Sequence, residues 1–283
     1  GNNVTVDIWE DGKFEGNENW PDTNAEQLAY AAMFGGVVEL DGDIDLTNTA
    51  SNIVFINDAT IKLNGHTIKA GKMEGGAFDY SALVVNNGAT LTIEGEGTIQ
   101  GGQYGIYAYD GNLTIKGGNI KANTSAVQVR EGNVNIEGGV FSVTNSVNDT
   151  RYVINCIDSY YKNGSANVNI TGGVFNGFNP GNNAAEGANT NFVAAGYKAI
   201  EKDGKFVVVP EDVDNVVADK DELKAALTDA ATAGETEVVI DANGANIGDL
   251  NYGLTKAMVP AGTTVTIRNA NVEGRSYGNG VDG

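Results

Sequence analysis

Leu91–Ile99 reads LTIEGEGTI, and close copies recur as LTIKGGNIK at Leu113–Lys121, VNIEGGVFS at Val134–Ser142 and VNITGGVFN at Val168–Asn176. Each copy places two apolar residues one apart, then a polar residue, a glycine turn and a further apolar strand. Ile93, Ile115, Ile136 and Ile170 mark the period, at separations of 22, 21 and 34 residues. Short alternating strands repeating near 22 residues between Gly/Asn turns predict a stacked solenoid, in which each repeat buries its apolar face against its neighbours. Aligning the copies puts Ile106 and Ala108 over Val127 and Val129, and Leu113 and Ile115 over Val134 and Ile136. These are expected as inward ladders about 4.8 Å apart. Tyr107 and Tyr109, over Gln128 and Arg130, then face solvent by alternation.

The composition of the 283 residues agrees with strands and tight turns. There are 39 glycines and 4 prolines, with β-branched residues set between Gly and Asn punctuation. The glycines follow no three-residue period, which excludes collagen. The net charge is −20, from 37 acidic and 17 basic residues. That balance argues against a nucleic-acid partner, because phosphate binding needs a basic surface. One cysteine, Cys156, allows no intrachain disulfide framework, and its place in VINCID predicts a small buried filler. No apolar run approaches a membrane span. The chain opens without methionine or signal peptide, so a trimmed, mature form is expected.

Outward from the repeats, Gly1–Pro21 reads as irregular with a short strand at Val4–Ile8. Thr23 to Glu26 fits a capping box, Leu28, Ala31 and Ala32 form a helical stripe, and Gly35-Gly36 ends it. Such a helix would cover the open end of the stack. Rungs begin at Val37, with Val38, Leu40, Ile44 and Leu46 on one face, then Ile61, Leu63 and Ile68. The 34-residue gap is read as an insertion over Asn145–Gly164, mapping to loops on one face. NPGNNAAEGANTNF after Phe178 is a polar loop. GYKAIEKDGKFVVVP is a hairpin turning at Asp203-Gly204, Pro210 closes it, and EDVDN is a linker.

From Val213 the opening pattern restarts. Asp219 caps a helix with Glu222 three residues on, and Leu223, Ala226, Leu227 and Ala230 make its stripe. Val265, Ile267 and Val272 repeat the offsets of Ile61, Leu63 and Ile68. The expected organisation is therefore a β-helix with cap and hairpin over residues 1–210, and a second cap with the first rungs of a truncated repeat over 211–283. Two rungs are too few to bury a solenoid core, so the parent protein is expected to continue past Gly283.

The LNGHTI phrase at Leu63–Ile68, followed by IxGG rungs, resembles the right-handed parallel β-helices of the pectin-lyase-like group. The block from Gly172 to Pro210 resembles bacterial cell-surface, adhesin-like β-helix proteins. The resemblance covers residues 23–210 and implies an all-β solenoid: a right-handed, single-stranded parallel β-helix with a short N-terminal capping helix and a C-terminal α+β partial repeat. It also implies an extracellular or cell-surface place in a bacterium. Lyases of that group use a basic residue as proton abstractor and acidic residues around calcium. Its glycosidases use paired carboxylates about 5–9.5 Å apart. Nothing here matches the NTD, DD, HG and RIK series of polygalacturonases.

The residues leave few catalytic candidates. There are four arginines, Arg130, Arg151, Arg268 and Arg275, and His66 is the sole histidine. His66 lies in a turn. DGDID at Asp41–Asp45 fails as an EF-hand loop, since Leu46 and Asn52 stand at its sixth and twelfth positions. GNGVDG at the C-terminus is a turn. No metal or cofactor is expected. The candidate site is instead a sugar-binding face: Tyr107, Tyr109, Asp110, Arg130, Glu131, Asp158, Tyr160 and Tyr161. Aromatic faces pair with apolar C–H patches of a sugar while polar groups take hydroxyls. The bland account is a solvated sheet with Tyr packed across rungs. The expected function is non-catalytic adhesion or glycan binding, toward a polysaccharide or a host or neighbouring surface. The alternative is a divergent polysaccharide lyase or glycoside hydrolase.

Overall fold

The computed structural model describes residues 23–47, 53–70, 81–146, 150–250 and 253–272. The readings of Val4–Ile8 and the C-terminal GNGVDG, the side chain of Thr23, and Arg275 lie outside them. Helix α1 (Thr23–Phe34) comes first. Leu28, Ala31 and Ala32 form its buried face, and Gly35 ends it with φ of +80°, a conformation that costs glycine no Cβ clash.

Short strands then follow in threes. The first triplet is β1 (Gly36–Glu39), β2 (Ile44–Asp45) and β3 (Ile53–Phe55); the second is β4 (Ala59–Lys62), β5 (Thr67–Lys69) and β6 (Leu83–Val85). Then come β7 (Thr90–Glu94), β8 (Thr98–Gln100) and β9 (Tyr104–Ala108), and β10 (Asn112–Ile115), β11 (Asn119–Ala122) and β12 (Ser125–Val129). The fifth triplet is β13 (Gly132–Ile136), β14 (Val140–Val143) and β15 (Ile154–Cys156). After α2 (Asp158–Lys162) come β16 (Ala166–Ile170) and β17 (Val174–Asn176), then the hairpin strands β18 (Tyr197–Lys202) and β19 (Lys205–Pro210).

Each sheet takes every third strand. β1-β4-β7-β10-β13-β16 form a six-stranded sheet, and β3-β6-β9-β12-β15 a five-stranded one. β2-β5-β8-β11-β14-β17 form the third, which β19 and β18 extend to eight strands. Among the described residues the pairings along the triplets are parallel, and the hairpin strand β19 joins β17 antiparallel. The described residues are thus mostly β, with parallel sheets, few helices and no closed barrel.

The register follows the alignment of the copies. Ile106 and Ala108 pair with Val127 and Val129, and Leu113 and Ile115 with Val134 and Ile136. All of these are buried, as are Val38, Leu40, Ile44, Leu46, Ile61, Leu63 and Ile68. Burying a side chain of this size contributes about 1.5–3 kcal/mol. Phe141 and Phe175 stack one above the other, centroids 4.9 Å apart at 10°. The paired glycines of the motif have two separate reasons. A Cβ on Gly138 would lie 2.5 Å from the Lys116 carbonyl oxygen, and one on Gly172 2.1 Å from that of Glu137. The glycines after them, Gly139 and Gly173, both have φ of +100°.

Two expectations change. The 34-residue gap is not all loop: β15 lies within it and continues the five-stranded sheet, pairing Ile154 and Cys156 with Val127 and Val129. EDVDN is not all linker, because Asn215 starts a strand. The outer surface of the six-stranded sheet carries Glu39, Lys62, Glu94, Lys116 and Glu137 in one in-register column, with Lys62 2.5 Å from Glu39 and Lys116 2.9 Å from Glu94.

The chain divides into two compact units, Gly1–Val208 and Val209–Gly283. The second holds β20 (Asn215–Val216), α3 (Lys220–Ala233), β21 (Glu237–Asp241) and β22 (Thr264–Arg268), with β20-β21-β22 a parallel sheet. Asp219 caps α3, its side chain accepting from the N–H groups of Asp221 and Glu222. Leu223, Ala226, Leu227 and Ala230 are its buried stripe. The Glu222 carboxylate accepts from Ala218 N–H at 2.6 Å, one residue before the capping-box position. Arg268 holds Asp212 with both terminal nitrogens, at 2.8 and 2.6 Å. Val265 and Ile267 are half-buried and Val272 is 49% exposed, so this second ladder is less covered than Ile61, Leu63 and Ile68.

Candidate functional site

The outer side of the five-stranded sheet gathers an aromatic and cationic cluster. Alternation along β9 turns Tyr107 outward between the buried Ile106 and Ala108. The next outward residue, Tyr109, sits just past the strand. Tyr107 and Tyr109 meet edge to face, centroids 5.6 Å apart at 86°. Tyr104 joins them 5.2 Å from Tyr107, although strict alternation would place it with Ile106. The reason is Gly105, whose Cβ would point at the core, 2.7 Å from Ile120 Cγ2. Alternation is broken there, so Tyr104 stays outside.

Arg130 follows β12 directly above Tyr109. Its guanidinium carbon lies 4.2 Å from the Tyr109 ring centre and 4.9 Å from that of Tyr160. One terminal nitrogen donates to the Tyr160 hydroxyl at 2.8 Å and the other to the Tyr109 carbonyl at 3.4 Å. Cation–π contacts of this kind contribute about 0.5–1 kcal/mol at exposed sites. Burial works against the guanidinium charge, but the Tyr160 bond and nearby Tyr and Glu131 charges leave its proton affinity above the ordinary value. Burial also raises the Tyr104 and Tyr107 hydroxyls. Among the described residues no carboxylate forms an ion pair with Arg130.

Four of the eight sequence-derived residues therefore come together: Tyr107, Tyr109, Arg130 and Tyr160. Asp110 is exposed and Glu131 half-buried, and neither bonds to the cluster through its side chain among the described residues. Asp158 pairs with Lys162 one helical turn on, at 3.1 Å. Tyr161 turns to the core, edge-on to Phe192 at 5.9 Å. Gln128 departs from the solvent-facing expectation. It is buried at 4% exposure, and its Oε1 accepts from Asn155 Nδ2 at 3.1 Å.

No family model, no curated protein and no solved structure matches this chain.

One residue carried no sequence signal. Glu186, in the polar loop after Phe178, is 8% exposed. Its Oε1 accepts the Cys156 N–H at 2.5 Å, and Oε2 has no hydrogen-bond partner among the described residues. Burial pushes its proton affinity up to about 7, with Asp158 adding to the rise while the Cys156 N–H and Lys162 oppose it. Cys156 itself is buried, and burial raises its thiol far above the ordinary value, so it is a filler and not a nucleophile. The other charged candidates have local duties. Asp43 accepts Thr67 N–H at 2.8 Å, and Asp45 accepts both the N–H and the hydroxyl of Thr47. His66 sits in the turn after Asn64 and Gly65, with Nδ1 3.5 Å from Asp43. Among the described residues no group of three or more His, Cys, Asp or Glu could hold a metal ion. No helix there is long and apolar enough to cross a membrane.

Proposed function

We propose that the chain is a non-catalytic module of a bacterial cell-surface or secreted protein, and that it binds carbohydrate on the Tyr104–Tyr107–Tyr109–Arg130–Tyr160 face. The fold reading behind it is a right-handed, pectin-lyase-like parallel β-helix, supported by three parallel sheets that each take every third strand and by the right-handed rule for parallel crossovers. In the same reading the second unit is a cap with the first rungs of another stack.

The observation that carries the ligand reading is Arg130, held between two tyrosine rings with no carboxylate partner among the described residues. Rings that stand on a strand platform offer C–H-binding faces at little entropic cost, and a guanidinium offers several donors to hydroxyls. Binding is checked by calorimetry against a panel of neutral and acidic oligosaccharides. Tyr109→Ala and Arg130→Ala should each weaken binding about tenfold, near 1.4 kcal/mol. Lys62→Ala, on another sheet, should leave it unchanged. No binding across the panel by the wild-type protein sinks the proposal.

The enzyme reading, a divergent lyase or glycosidase, draws on Glu186, whose proton affinity suits a general acid near neutral pH. Its carboxylate is closed to solvent and bound to a backbone N–H, which disfavours contact with a glycosidic bond. Release of reducing or unsaturated ends that stops in Glu186→Gln would reverse this preference.

A further inference from the structure

The loop 179–194 carries one charged residue, Glu186. The Cys156 N–H that it binds points away from β12, along the free edge of the last strand in the five-stranded sheet. The carboxylate thus fills a place on that edge where a further strand would offer a carbonyl. The loop is built to hold it there. Glu186 N–H donates to Thr190 Oγ1 at 3.2 Å, and that hydroxyl donates to the Gly187 carbonyl at 2.8 Å. Asn183 and Thr190 exchange two backbone hydrogen bonds, both 3.0 Å. Phe192 anchors the far side, 1% exposed, against the Tyr161 ring of α2.

The charged and titratable groups facing Glu186 are Cys156 on β15 and Asp158, Tyr161 and Lys162 on α2. A neutral carboxyl tolerates a closed site with one oxygen unpaired. An ionised one does not, because burial penalises the charge and Asp158 repels it. Its proton affinity near 7 follows from that setting.

We propose that Glu186 is a proton-dependent latch: protonated, it holds the loop 179–194 on the edge of β15; ionised, it releases the loop and loosens α2. Because Tyr160 on α2 completes the sugar platform, release weakens sugar binding; this last step rests on the carbohydrate reading above.

Cys156, the single cysteine, lies behind the latch and reports its opening by reaction with a maleimide. Rates are measured from about pH 5.5 to 8.5 for wild type and Glu186→Gln, which keeps the side-chain acceptor without the charge. The Glu186 charge adds to the burial that raises the Cys156 thiol, which slows wild-type labelling as Glu186 ionises, so only opening of the latch raises the ratio of the wild-type rate to that of Glu186→Gln. The ratio should be near one at the acid end and rise about tenfold or more at the alkaline end. A flat ratio overturns the proposal. If Glu186→Gln does not fold, two charge variants replace it. Asp158→Asn should move the rise in labelling to lower pH and Lys162→Gln to higher pH; shifts in one direction, or none, overturn the latch. Sugar affinity measured over the same range separates the two readings. Binding that persists with a flat labelling ratio removes the latch and leaves the platform. A rising ratio with no binding at any pH removes the platform and leaves the latch.

Discussion

At the residue scale, backbone proximity explains the glycine pairs that make the repeat visible. Gly138 passes so close to the Lys116 carbonyl that a methyl group has no place, and Gly172 repeats this against Glu137. Gly138→Ala should therefore destabilise the first unit by about 1–3 kcal/mol, read as a lower urea midpoint, through a backbone shift forced on neighbouring strands. Ala at Gly164, where nothing lies within 4 Å of a Cβ, should cost only the strain of its positive φ. The inward ladders were legible in the sequence because alternation and stacking both point the same way at Ile106, Ala108, Val127 and Val129. Gln128 was not legible. Alternation gives its direction correctly, but its burial depends on Asn155, a residue from the following triplet whose spacing departs from the repeat. Tyr104 was missed for a local reason, since a glycine without a side chain can change the phase of a strand unseen.

At the element scale, signals confined to one segment carried through. Asp219 and the Leu223–Ala230 stripe mark α3 because capping and periodicity need no tertiary partner. β15 was hidden because ten residues separate it from β14, against two between β11 and β12, so spacing no longer identified it. The loop 179–194 was still less readable: polar composition names a loop but cannot say that one carboxylate turns inward. Its presence gives the stability a pH dependence. Glu186 has a folded-state proton affinity near 7, above an ordinary value of 4.5, so the folded protein holds the proton more tightly than the unfolded chain. The stabilisation is complete below about pH 4.5, is lost as pH rises toward 7 and levels off beyond it, with an upper bound of about 3 kcal/mol. Urea unfolding of wild type should show this decline from pH 5 to 8 relative to Glu186→Gln. Equal slopes for the two proteins would contradict it.

At the scale of the whole molecule, the near-identical repeats raise a question that the native contacts alone do not answer: how each strand finds its own neighbour. LTIEGEGTI and LTIKGGNIK carry the same apolar ladder positions, so that ladder alone does not tell the native neighbour from a copy one triplet further along. The Glu39–Lys62–Glu94–Lys116–Glu137 column distinguishes these outcomes. In the native order every neighbour has the opposite sign. If one triplet is skipped, Glu39 meets Glu94, Lys62 meets Lys116, and Glu94 meets Glu137. Exposed ion pairs add little to native stability, about 0–1 kcal/mol each, but like charges directly opposite penalise the wrong pairing. Lys116→Glu should thus lower the urea midpoint only slightly while producing slower, multiphasic refolding in stopped-flow fluorescence; refolding as a single phase at the wild-type rate would contradict this. The surface charges then act as a counting device, by which a chain of look-alike strands keeps its place while it folds.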